Sequence, residues 1–500
     1  MDLKELTGKI FMIGLPSSEI NDPAKRVLEV VRPGSVILFG RNIKDREQVV
    51  AFIRGITDFL GYKPLIAIDQ EGGIVTRLTK GFTVSPSAMA LASTENPNNA
   101  YRAGIILGSE MKAVGIDWNL APVVDINNNS QNPGIGIRSF SRDKDTVIEY
   151  ASKFTVGLRE SGIITCLKHF PGIGRVVTDP HLDMPILNIS RDEIYRTELA
   201  PFLAINSPSW MPTHIHVPAI QTSKEPITVS REVLTDMIRD ELKYEGVLIA
   251  DDLNMGGVSN FYPPEEIALK TLEAGMDMIS FCDNTEKQIQ VRKFLDGKIV
   301  ENDKLAERIS GAAGRIENLF RQRKETEPPA DIRLEFEDNR VEMDRISSES
   351  VRIRKNRSNL IPLNRVDNIF AVKAARLVLV EDTLQGIHMA VTRTGEFLKC
   401  PITVYSREIS KEESASLLKT AAGKRNIIFT ENAHLALSQV EFIEKLARLS
   451  DDLVLIALRN PYDADIRGIE NAICSFGYSS SQQKEILQKL FIKSNTETVK

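Results

Sequence analysis

The stretch LIAIDQEGGIVTRL, residues 65–78, is the part of the sequence that indicates the fold most directly. It begins with a short apolar run and then becomes polar at once, with Asp69 and Glu71. Gly72 and Gly73 come next, and glycine permits a tight turn or a close approach to a ligand because it tolerates positive φ. An apolar run that ends in such a polar loop is typical of a buried parallel strand whose carboxyl end carries a binding site.

The same pattern recurs along the first part of the chain. Eight apolar runs predict strands: Ile10 to Gly14, Ser35 to Gly40, Leu65 to Asp69, Trp118 to Asp125, Thr165 to Phe170, Trp210 to Val217, Gly246 to Asp252 and Met276 to Cys282. The segments between them, such as Asp45 to Leu60 and Arg231 to Lys243, repeat apolar residues at helical spacing. This alternation predicts an α/β fold, a (β/α)8 TIM-type barrel. A doubly wound sheet is the alternative, but no glycine-rich dinucleotide fingerprint follows the first run.

A charged, polar segment separates this part from a second α/β region. It contains Pro328-Pro329, a pair that opposes a continuous helix. We therefore predict a catalytic barrel domain at residues 1–321, a linker and connecting helix at 322–357, and a smaller α/β sandwich domain at 358–500. Its predicted strands are Arg376 to Val380, Ile402 to Tyr405, Asn426 to Thr430, Asp452 to Leu458 and Ala472 to Phe476, with helices at Lys411 to Ala422 and Ala433 to Leu449.

Composition excludes several classes of protein. The chain has 500 residues, of which 42% are hydrophobic and 26% charged, as in a soluble globular protein. The net charge is −5 and no basic block is present, so we expect no nucleic-acid partner. No apolar run reaches the roughly 18 residues of a membrane span. The N-terminus lacks the pattern of a secretion signal, and the four cysteines lie far apart, which favours a cytoplasmic protein with reduced thiols and no metal site or cofactor.

Polar residues gather where the predicted barrel strands end. They are Asp69, Arg77, Asp125, Arg138, Lys168, His169, His214, Asp251 and Asp252. Some could be salt bridges that close the barrel. Because the carboxyl ends of barrel strands meet on one face, their number favours a polar-ligand site there. Several carboxylates among fixed cations suit a polyhydroxylated ligand such as a sugar.

One loop adds a candidate proton-transfer pair. In KHFPGIGRVVTDPHLDMP, residues 168–185, Asp179 stands two residues before His181. Such a pair can be an ordinary hydrogen-bonded loop contact, but the carboxylate can also orient and charge the imidazole. Cleavage of a glycoside with retention needs a carboxylate nucleophile, for which Asp251 or Asp252 is available, and a separate acid/base, which the pair can supply.

Six motifs together resemble a known family. The ordered set DQEGGIVTRL, NLAPVVDI, NPGIGIRSF, KHFPG, DPHLDMP and VLIADDLNM resembles the family 3 glycoside hydrolases, most of all their NagZ-type branch, the β-N-acetylglucosaminidases, in a two-domain form. The resemblance runs through nearly all of the first 285 residues. VLIALRNPYDA and ICSFGYSSSQQ are similar to that family's second domain, with less specific motifs.

The resemblance implies a role for each matching residue. Asp251 falls on the nucleophile, His181 on the acid/base and Asp179 on its partner, while Asp252 becomes structural. The implied sugar contacts are Asp69, Arg77, Arg138, Lys168 and His169, with His214 near the site.

The loop before His181 departs from the family. The family's loop usually reads FPGHGDT, whereas this chain reads FPGIGRVV, so Ile173, Arg175 and Val176 replace a histidine, an aspartate and a threonine. The triplet is also DPH instead of DSH. We expect Pro180 to stiffen the loop without abolishing proton transfer, because proline fixes φ and removes one backbone donor. Leaving-group preference is the property that we expect to differ.

The resemblance implies a retaining exo-β-N-acetylglucosaminidase. Its expected substrate is a saccharide or muropeptide with terminal non-reducing β-linked N-acetylglucosamine, as in peptidoglycan fragments during cell-wall recycling. A β-glucosidase or a glycoside phosphorylase of the same family is an alternative, because a histidine acid/base is compatible with phosphate in place of water. A sugar-binding protein that has lost turnover is a further alternative.

Overall fold

The first part of the chain folds as a closed barrel of parallel strands. The structure is a computed structural model and describes residues 3–323, 335–373, 381, 392, 394–396 and 399–491. The barrel strands are Phe11–Gly14, Ser35–Leu38, Leu65–Ile68, Trp118–Asn119, Ile164–Phe170, Ser209–Pro212, Val247–Leu248 and Ile279–Phe281. The first pairs with both the second and the eighth, and a parallel bridge from Ile249 to Met278 closes the sheet. The predicted (β/α)8 barrel is confirmed.

Several strands are shorter than the predicted runs, as where the run from Gly246 to Asp252 is a strand only at Val247–Leu248. The run from Trp118 to Asp125 is a strand only at Trp118–Asn119, and the run from Trp210 to Val217 ends at Pro212. Both of these runs contain a proline, which has no backbone N–H for the ladder, and beyond Pro122 a bridge from Val123 to Lys168 continues the pairing. Asp125 therefore lies in a loop beyond its strand, where its side chain can turn toward neighbouring strands.

Helices surround the barrel between its strands. Their bounds are Leu3–Lys9, Asp22–Val31, Arg46–Leu60, Ala88–Ser93, Pro97–Ala113, Lys144–Glu160, Arg191–Arg196, Ala200–Ala204, a π-helix at Glu232–Glu241, then Gly256–Ser259, Pro264–Ala274, Thr285–Glu301 and Asp303–Phe320. Side-chain caps begin many of them, as where Asp45 accepts a hydrogen bond from the Gln48 N–H at 2.9 Å. The predicted helices at Asp45 to Leu60 and Arg231 to Lys243 are present with slightly tighter bounds.

In the described part of the chain, a second sheet of six strands forms the smaller α/β unit. Its order is Arg352–Asn356, Asn471–Cys474, Asp452–Ala457, Arg425–Thr430, Asn368–Val372 and Ile402–Tyr405, and only the first of these runs antiparallel to its neighbour. Helices Lys411–Ala421, Leu437–Leu449 and Ser480–Leu490 accompany it. The strands Arg352–Asn356 and Asn368–Val372 were not predicted, and the predicted strand from Arg376 to Val380 lies outside the described residues.

The two units are in direct contact. Helix Glu335–Glu349 buries Phe336, Met343 and Ile346 in the barrel's core. Polar contacts add to this, since the Ser87 hydroxyl donates to the carbonyl of Phe476 at 2.8 Å. The second unit is therefore fixed near the face of the barrel where its strands end. Within the described part of the chain, no helix combines the length and apolarity needed to cross a bilayer.

Candidate active site

A cavity of about 510 Å³ opens at the carboxyl ends of the barrel strands. The predicted residues that line it are Asp69, Arg77, Arg138, Lys168, His169, His181 and Asp251. Asp179 lies in an adjoining recess that shares His181 and Asp251 with the cavity. The volume is in the range of small-molecule sites, and the walls combine charged groups with apolar side chains such as Leu120 and Met211.

Alternating charges line one wall of the cavity. Lys168 Nζ donates to Asp69 Oδ1 at 2.7 Å and lies 2.8 Å from Glu71 Oε1. Arg138 forms two parallel hydrogen bonds of 2.9 Å with the Glu71 carboxylate, and Arg77 lies 3.5 Å from Asp69. Burial alone would raise the pKa of Glu71, but the charges of Arg138 and Lys168 hold it well below its usual range. This wall is therefore a fixed set of ionised donors and acceptors.

His169 is oriented by a buried aspartate. Its Nδ1 lies 2.7 Å from Asp125 Oδ2, and its Nε2 lies 3.3 Å from an Arg138 nitrogen. Because a guanidinium can only donate, Nε2 accepts and the Nδ1–H donates to Asp125. The other Asp125 oxygen accepts from the Ile173 N–H at 2.7 Å. Asp125 therefore joins His169, which lines the cavity, to the loop that carries His181.

Asp251 follows the seventh strand and is held as a carboxylate. Thr213 donates to its Oδ2 and the Asp252 N–H to its Oδ1, both at 2.9 Å. Burial would raise the pKa of Asp251, but the Coulombic influence of His169, His214 and His181, together with the Thr213 hydrogen bond, lowers it to about 2. A carboxylate that stays ionised and faces a sugar-sized cavity is suited to nucleophilic attack.

His181 and Asp179 form a close pair at the edge of the cavity. Nδ1 of His181 lies 2.7 Å from Asp179 Oδ1, and the His181 side chain keeps 29% of its surface exposed. Burial would raise the pKa of Asp179, but hydrogen bonding and charge from His181 lower it. With Nδ1 engaged, Nε2 is the ring atom that can exchange a proton with a ligand.

The altered part of the loop is built into the fold. Ile173 and Val176 are buried, and the Asn132 amide donates to both of their carbonyls at 2.7 and 2.9 Å. Arg175 pairs with Glu193 at 2.8 Å and with the buried Glu198 at 3.0 Å. The three replacements therefore anchor the loop to the barrel before it reaches the dyad.

A short helix holds the other end of the same loop. The N–H groups of Gly256 and Gly257 donate to the carbonyls of His181 and Pro180 at 3.1 and 2.9 Å. Asn260 donates to the carbonyl of Leu182 at 3.1 Å. The backbone of the dyad is thus bound on both sides, although Leu182 itself remains exposed.

His214 lies behind the cavity wall, whereas Asp252 is among the residues that line the cavity. His214 is fully buried, and burial lowers its pKa. Its Nε2–H donates to the Asp252 carbonyl at 3.0 Å. It is not among the described residues that line the cavity. Asp252 Oδ1 accepts from the backbone of Asn254 and Cys282. A direct sugar contact by His214 stays a prediction, while its observed contacts support the segment of Asp251.

Some residues of the site were not assigned from the sequence. Glu71 and Asp125 follow predicted strands in the sequence, but only the closed barrel shows which residues they form hydrogen bonds with. Arg41 and Phe39, after the second strand, and Glu381, from the second unit, also line the cavity, and no motif pointed to them. Among the described residues, no group of three or more side chains is arranged to hold a metal ion.

An ionised carboxylate and a histidine paired with an aspartate, on one cavity at the strand ends of a barrel, are groups that a glycoside hydrolase can use. Comparison with known proteins gives the particular family. Residues 5–319 match the glycosyl hydrolase family 3 N-terminal domain. The chain belongs to glycosyl hydrolase family 3.

Individual relatives agree with this assignment. A β-hexosaminidase of Haemophilus influenzae (strain PittEE) is 34% identical over 323 residues, which cover 62% of this chain and 89% of the relative. The structure of a family 3 β-N-acetylglucosaminidase from Paenibacillus sp. FPU-7 is 28% identical and superposes with a TM-score of 0.87 over 97% of this chain and 96% of that one. NagZ of Neisseria gonorrhoeae, in complex with N-trifluoroacetyl-D-glucosamine, is 28% identical with a TM-score of 0.58, over 68% and 98% of the chains.

Proposed function

We propose that this chain is a retaining exo-β-N-acetylglucosaminidase that removes terminal non-reducing β-linked N-acetylglucosamine. The observation that carries the proposal is that Asp251, with its pKa near 2, and His181, paired with Asp179, line one cavity. These are the two groups that a two-step displacement requires. Residues 1–321 would form the catalytic domain, 322–357 the linker and connecting helix, and 358–500 the second domain, although the strand Arg352–Asn356 at the end of the connecting segment already pairs within the second sheet.

In the first step, a carboxylate oxygen of Asp251 attacks the anomeric carbon. The bond from that carbon to the leaving-group oxygen breaks, and Nε2 of protonated His181 gives its proton to the departing oxygen. Asp179 lies 2.7 Å from Nδ1 and orients the ring, so Nε2 carries the proton that is transferred. The products of this step are the free aglycone and a glycosyl ester on Asp251.

In the second step, neutral His181 removes a proton from water, and the resulting oxygen attacks the anomeric carbon. The ester bond to Asp251 breaks, which regenerates both residues and gives a sugar of retained configuration. A neutral imidazole serves as base without a second negative charge beside the leaving carboxylate of Asp251. This electrostatic difference from a carboxylate base favours the return of Asp251 to its ionised form.

The charged wall is the proposed binding surface for the sugar. At the cavity Asp69 accepts hydrogen bonds, while Lys168, Arg138 and Arg77 donate them, so adjacent hydroxyls can meet both donors and an acceptor. The N-acetyl preference rests on the named activity of the Paenibacillus relative and on the N-trifluoroacetyl-D-glucosamine complex of the Neisseria protein, and the Haemophilus relative is a β-hexosaminidase. Peptidoglycan fragments are the proposed natural substrate, in cytoplasmic cell-wall recycling.

A panel of aryl β-glycosides tests this function. We expect the N-acetylglucosaminide to be cleaved far faster than the glucoside or xyloside, with the β-anomer as first product by NMR. Asp251→Ala should nearly abolish release of the aglycone. Wild-type turnover in that variant would contradict the mechanism, and a preference for glucoside would contradict the substrate. Addition of phosphate should leave the product a free sugar, since a sugar phosphate would identify a phosphorylase.

A further inference from the structure

A short segment of the barrel lies between the second unit and the loop of the proposed acid/base. This segment, residues 127–132, follows Asp125 beyond the fourth strand. On one side it contacts two turns of the second unit, and on the other it contacts the loop that leads to His181. The second unit therefore reaches this loop through residues 127–132.

Two side chains of the second unit hold the segment. The Tyr462 hydroxyl accepts a hydrogen bond from the Asn127 amide at 2.9 Å and donates to the Asn127 carbonyl at 3.3 Å. Nε2 of His434 lies 3.0 Å from the carbonyl of Ser130, and because a carbonyl can only accept, this nitrogen donates. Within the described ranges, these are the hydrogen bonds that the second unit makes to residues 127–132.

The two side chains are themselves fixed within the second unit. Nδ1 of His434 lies 2.6 Å from Oδ1 of Asp463, which also accepts the His434 N–H at 2.9 Å. Asp463 is fully buried and directly follows Tyr462 in the chain. The rings of Tyr462 and His434 meet edge to face with their centroids 5.3 Å apart, so each limits the movement of the other.

The opposite side of the segment holds the backbone of the altered loop. The Asn132 amide donates to the carbonyls of Ile173 and Val176, at 2.7 and 2.9 Å. Packing is equally close, since a Cβ added to Gly174 would lie 1.8 Å from the carbonyl oxygen of Ile126. A displacement of the segment would therefore displace the loop as well.

Packing does not fill the space between the segment and the second unit. A cavity of about 380 Å³ lies there, bordered by Asn127, Ser130, His434 and Tyr462. Beside this space, the hydrogen bonds from Tyr462 and His434 determine where the segment lies, because few packed atoms oppose its movement. Loss of either side chain's hydrogen bonds should therefore loosen the segment.

We propose that Tyr462 and His434 are positioning residues for the proton donor His181. They fix residues 127–132, which in turn fix the backbone of the loop that leads to His181. The second unit then supports proton transfer without taking part in it. This inference rests on the proposed function, in which His181 is the acid/base.

The test compares Tyr462→Phe with Tyr405→Phe in the full-length chain. Each change removes one hydroxyl from the second unit, but the Tyr405 hydroxyl donates to the carbonyl of Phe429, within the second sheet. We expect Tyr462→Phe to lower kcat/KM about fivefold for a poor aryl leaving group and less than about twofold for a good one, because only the poor one needs a well-placed proton donor. An equal loss for both leaving groups, or the same effect in Tyr405→Phe, would overturn the proposal.

Hydrogen exchange measures directly how firmly the loop is held. The Ile173 N–H donates to the Asp125 carboxylate at 2.7 Å, so it exchanges slowly only while the loop is in place. By mass spectrometry, exchange in the peptide of residues 172–182 should be about fivefold faster in Tyr462→Phe than in wild type, and unchanged in Tyr405→Phe. Wild-type exchange in Tyr462→Phe would overturn the proposal.

A second pair of variants tests His434. His434→Phe keeps a ring beside Tyr462 but cannot donate to the Ser130 carbonyl, whereas His434→Gln keeps an N–H donor. We expect His434→Phe to show the same dependence on the leaving group as Tyr462→Phe, and His434→Gln to restore most of the lost activity. Equal losses in both His434 variants would overturn the assignment of this residue.

Failure of this inference can be distinguished from failure of the proposed function. If His181→Ala itself shows no dependence on the leaving group, His181 is not the proton donor and the proposed mechanism fails. If His181→Ala shows that dependence while Tyr462→Phe does not, the mechanism stands and the positioning role of the second unit is refuted.

Discussion

Nδ1 of His181 lies 2.7 Å from Oδ1 of Asp179, and the same oxygen accepts the backbone N–H of His181 at 3.0 Å. One carboxylate therefore fixes both the ring and the backbone of the proposed acid/base. Nε2 has no hydrogen-bond partner within the described ranges, so it can serve the ligand. Between the two residues, Pro180 limits the backbone freedom that could break this arrangement.

The effect of removing the His181 imidazole should depend on how good the leaving group is. We expect His181→Ala to lower kcat/KM by about 100-fold or more for a poor aryl leaving group and by less than tenfold for a good one, because only the poor one needs a proton. Asp179→Asn should also lower kcat/KM more for the poor leaving group than for the good one, but by smaller factors. Asp183→Asn, an exposed carboxylate two residues further on, is the matched control and should behave like wild type. An equal loss for both leaving groups in His181→Ala would argue against acid catalysis.

The low pKa of Asp251 predicts that activity changes unusually little with pH on the acidic side of the pH–activity profile. Burial would raise this pKa, but the Coulombic influence of His169, His214 and His181 and the Thr213 hydrogen bond lower it to about 2. The active form is the carboxylate, so activity is retained as pH falls until the pKa of Asp251 is approached. With a dinitrophenyl glycoside, which needs no acid, kcat/KM should stay constant from about pH 6 to about pH 4, where an ordinary aspartate begins to protonate.

Thr213→Val supplies the control for this pH profile. It removes the hydrogen bond to Asp251 Oδ2, so the pKa of Asp251 should rise and the acidic limb should move to higher pH. Circular dichroism at each pH separates titration from unfolding. If kcat/KM of the wild type falls on acidification with a midpoint above pH 4 while the protein stays folded, the pKa of Asp251 is not lowered.

Lys168 should matter for stability as well as for binding. It is buried between Asp69 and Glu71, so Lys168→Met leaves two buried carboxylates with one cation fewer each. We expect a loss of about 3 kcal/mol in the free energy of unfolding at pH 7, measured with urea, and a raised KM. Lys224→Met, at an exposed position, should have no measurable effect.

The same variant has a defined pH dependence. The pKa of Glu71 is lowered in the folded state, so its contribution to stability is present above its unfolded value of about 4.3 and is lost as pH falls. Lys168→Met raises that folded pKa and removes part of this contribution. The difference in unfolding free energy between wild type and variant should therefore narrow below about pH 4. A difference that widens on acidification would contradict the ionised pairing.

The sequence predicted the barrel because each strand is marked locally. An apolar run followed by polar residues, such as Leu65–Ile68, can be recognised without knowing what it packs against. Each of the eight predicted runs overlaps a strand. Strand ends were less predictable where proline stops the ladder, as at Pro212. In the second unit, Arg352–Asn356 is half exposed and charged, so it lacked the apolar signal of a buried strand.

Pairings within the site required the three-dimensional fold. Glu71 and Arg138 are 67 residues apart, and no spacing rule joins them. Glu381 lies still further along the chain and reaches the cavity only because the second domain packs on the barrel. The replacements in FPGIGRVV were visible as a departure, but their effect depended on partners such as Asn132 and Glu198. Residue types can thus be read from the sequence, whereas partners are set by packing.

Gly257 provides a test of the backbone support under the dyad. Its N–H donates to the carbonyl of Pro180, and a Cβ added there would lie 2.8 Å from His214 Cβ and 2.9 Å from the Pro180 oxygen. Gly257→Ala must therefore push the helix and the loop apart. We expect a cost of about 1 to 3 kcal/mol in unfolding free energy, as for other overpacked sites. The kcat for poor leaving groups should fall more than that for good ones, because His181 moves with the loop.

Gly297→Ala is the matched control for this steric argument. Gly297 lies in helix Thr285–Glu301, and a Cβ there would meet nothing within 4 Å. Alanine is the better helix former, so this variant should be stabilised by about 0.5 to 1 kcal/mol with unchanged kinetics. If Gly257→Ala is as stable and active as Gly297→Ala, the contact between helix Gly256–Ser259 and the loop does not position His181. In that case the anchoring by Asn132 and Arg175 alone would have to hold the dyad in place.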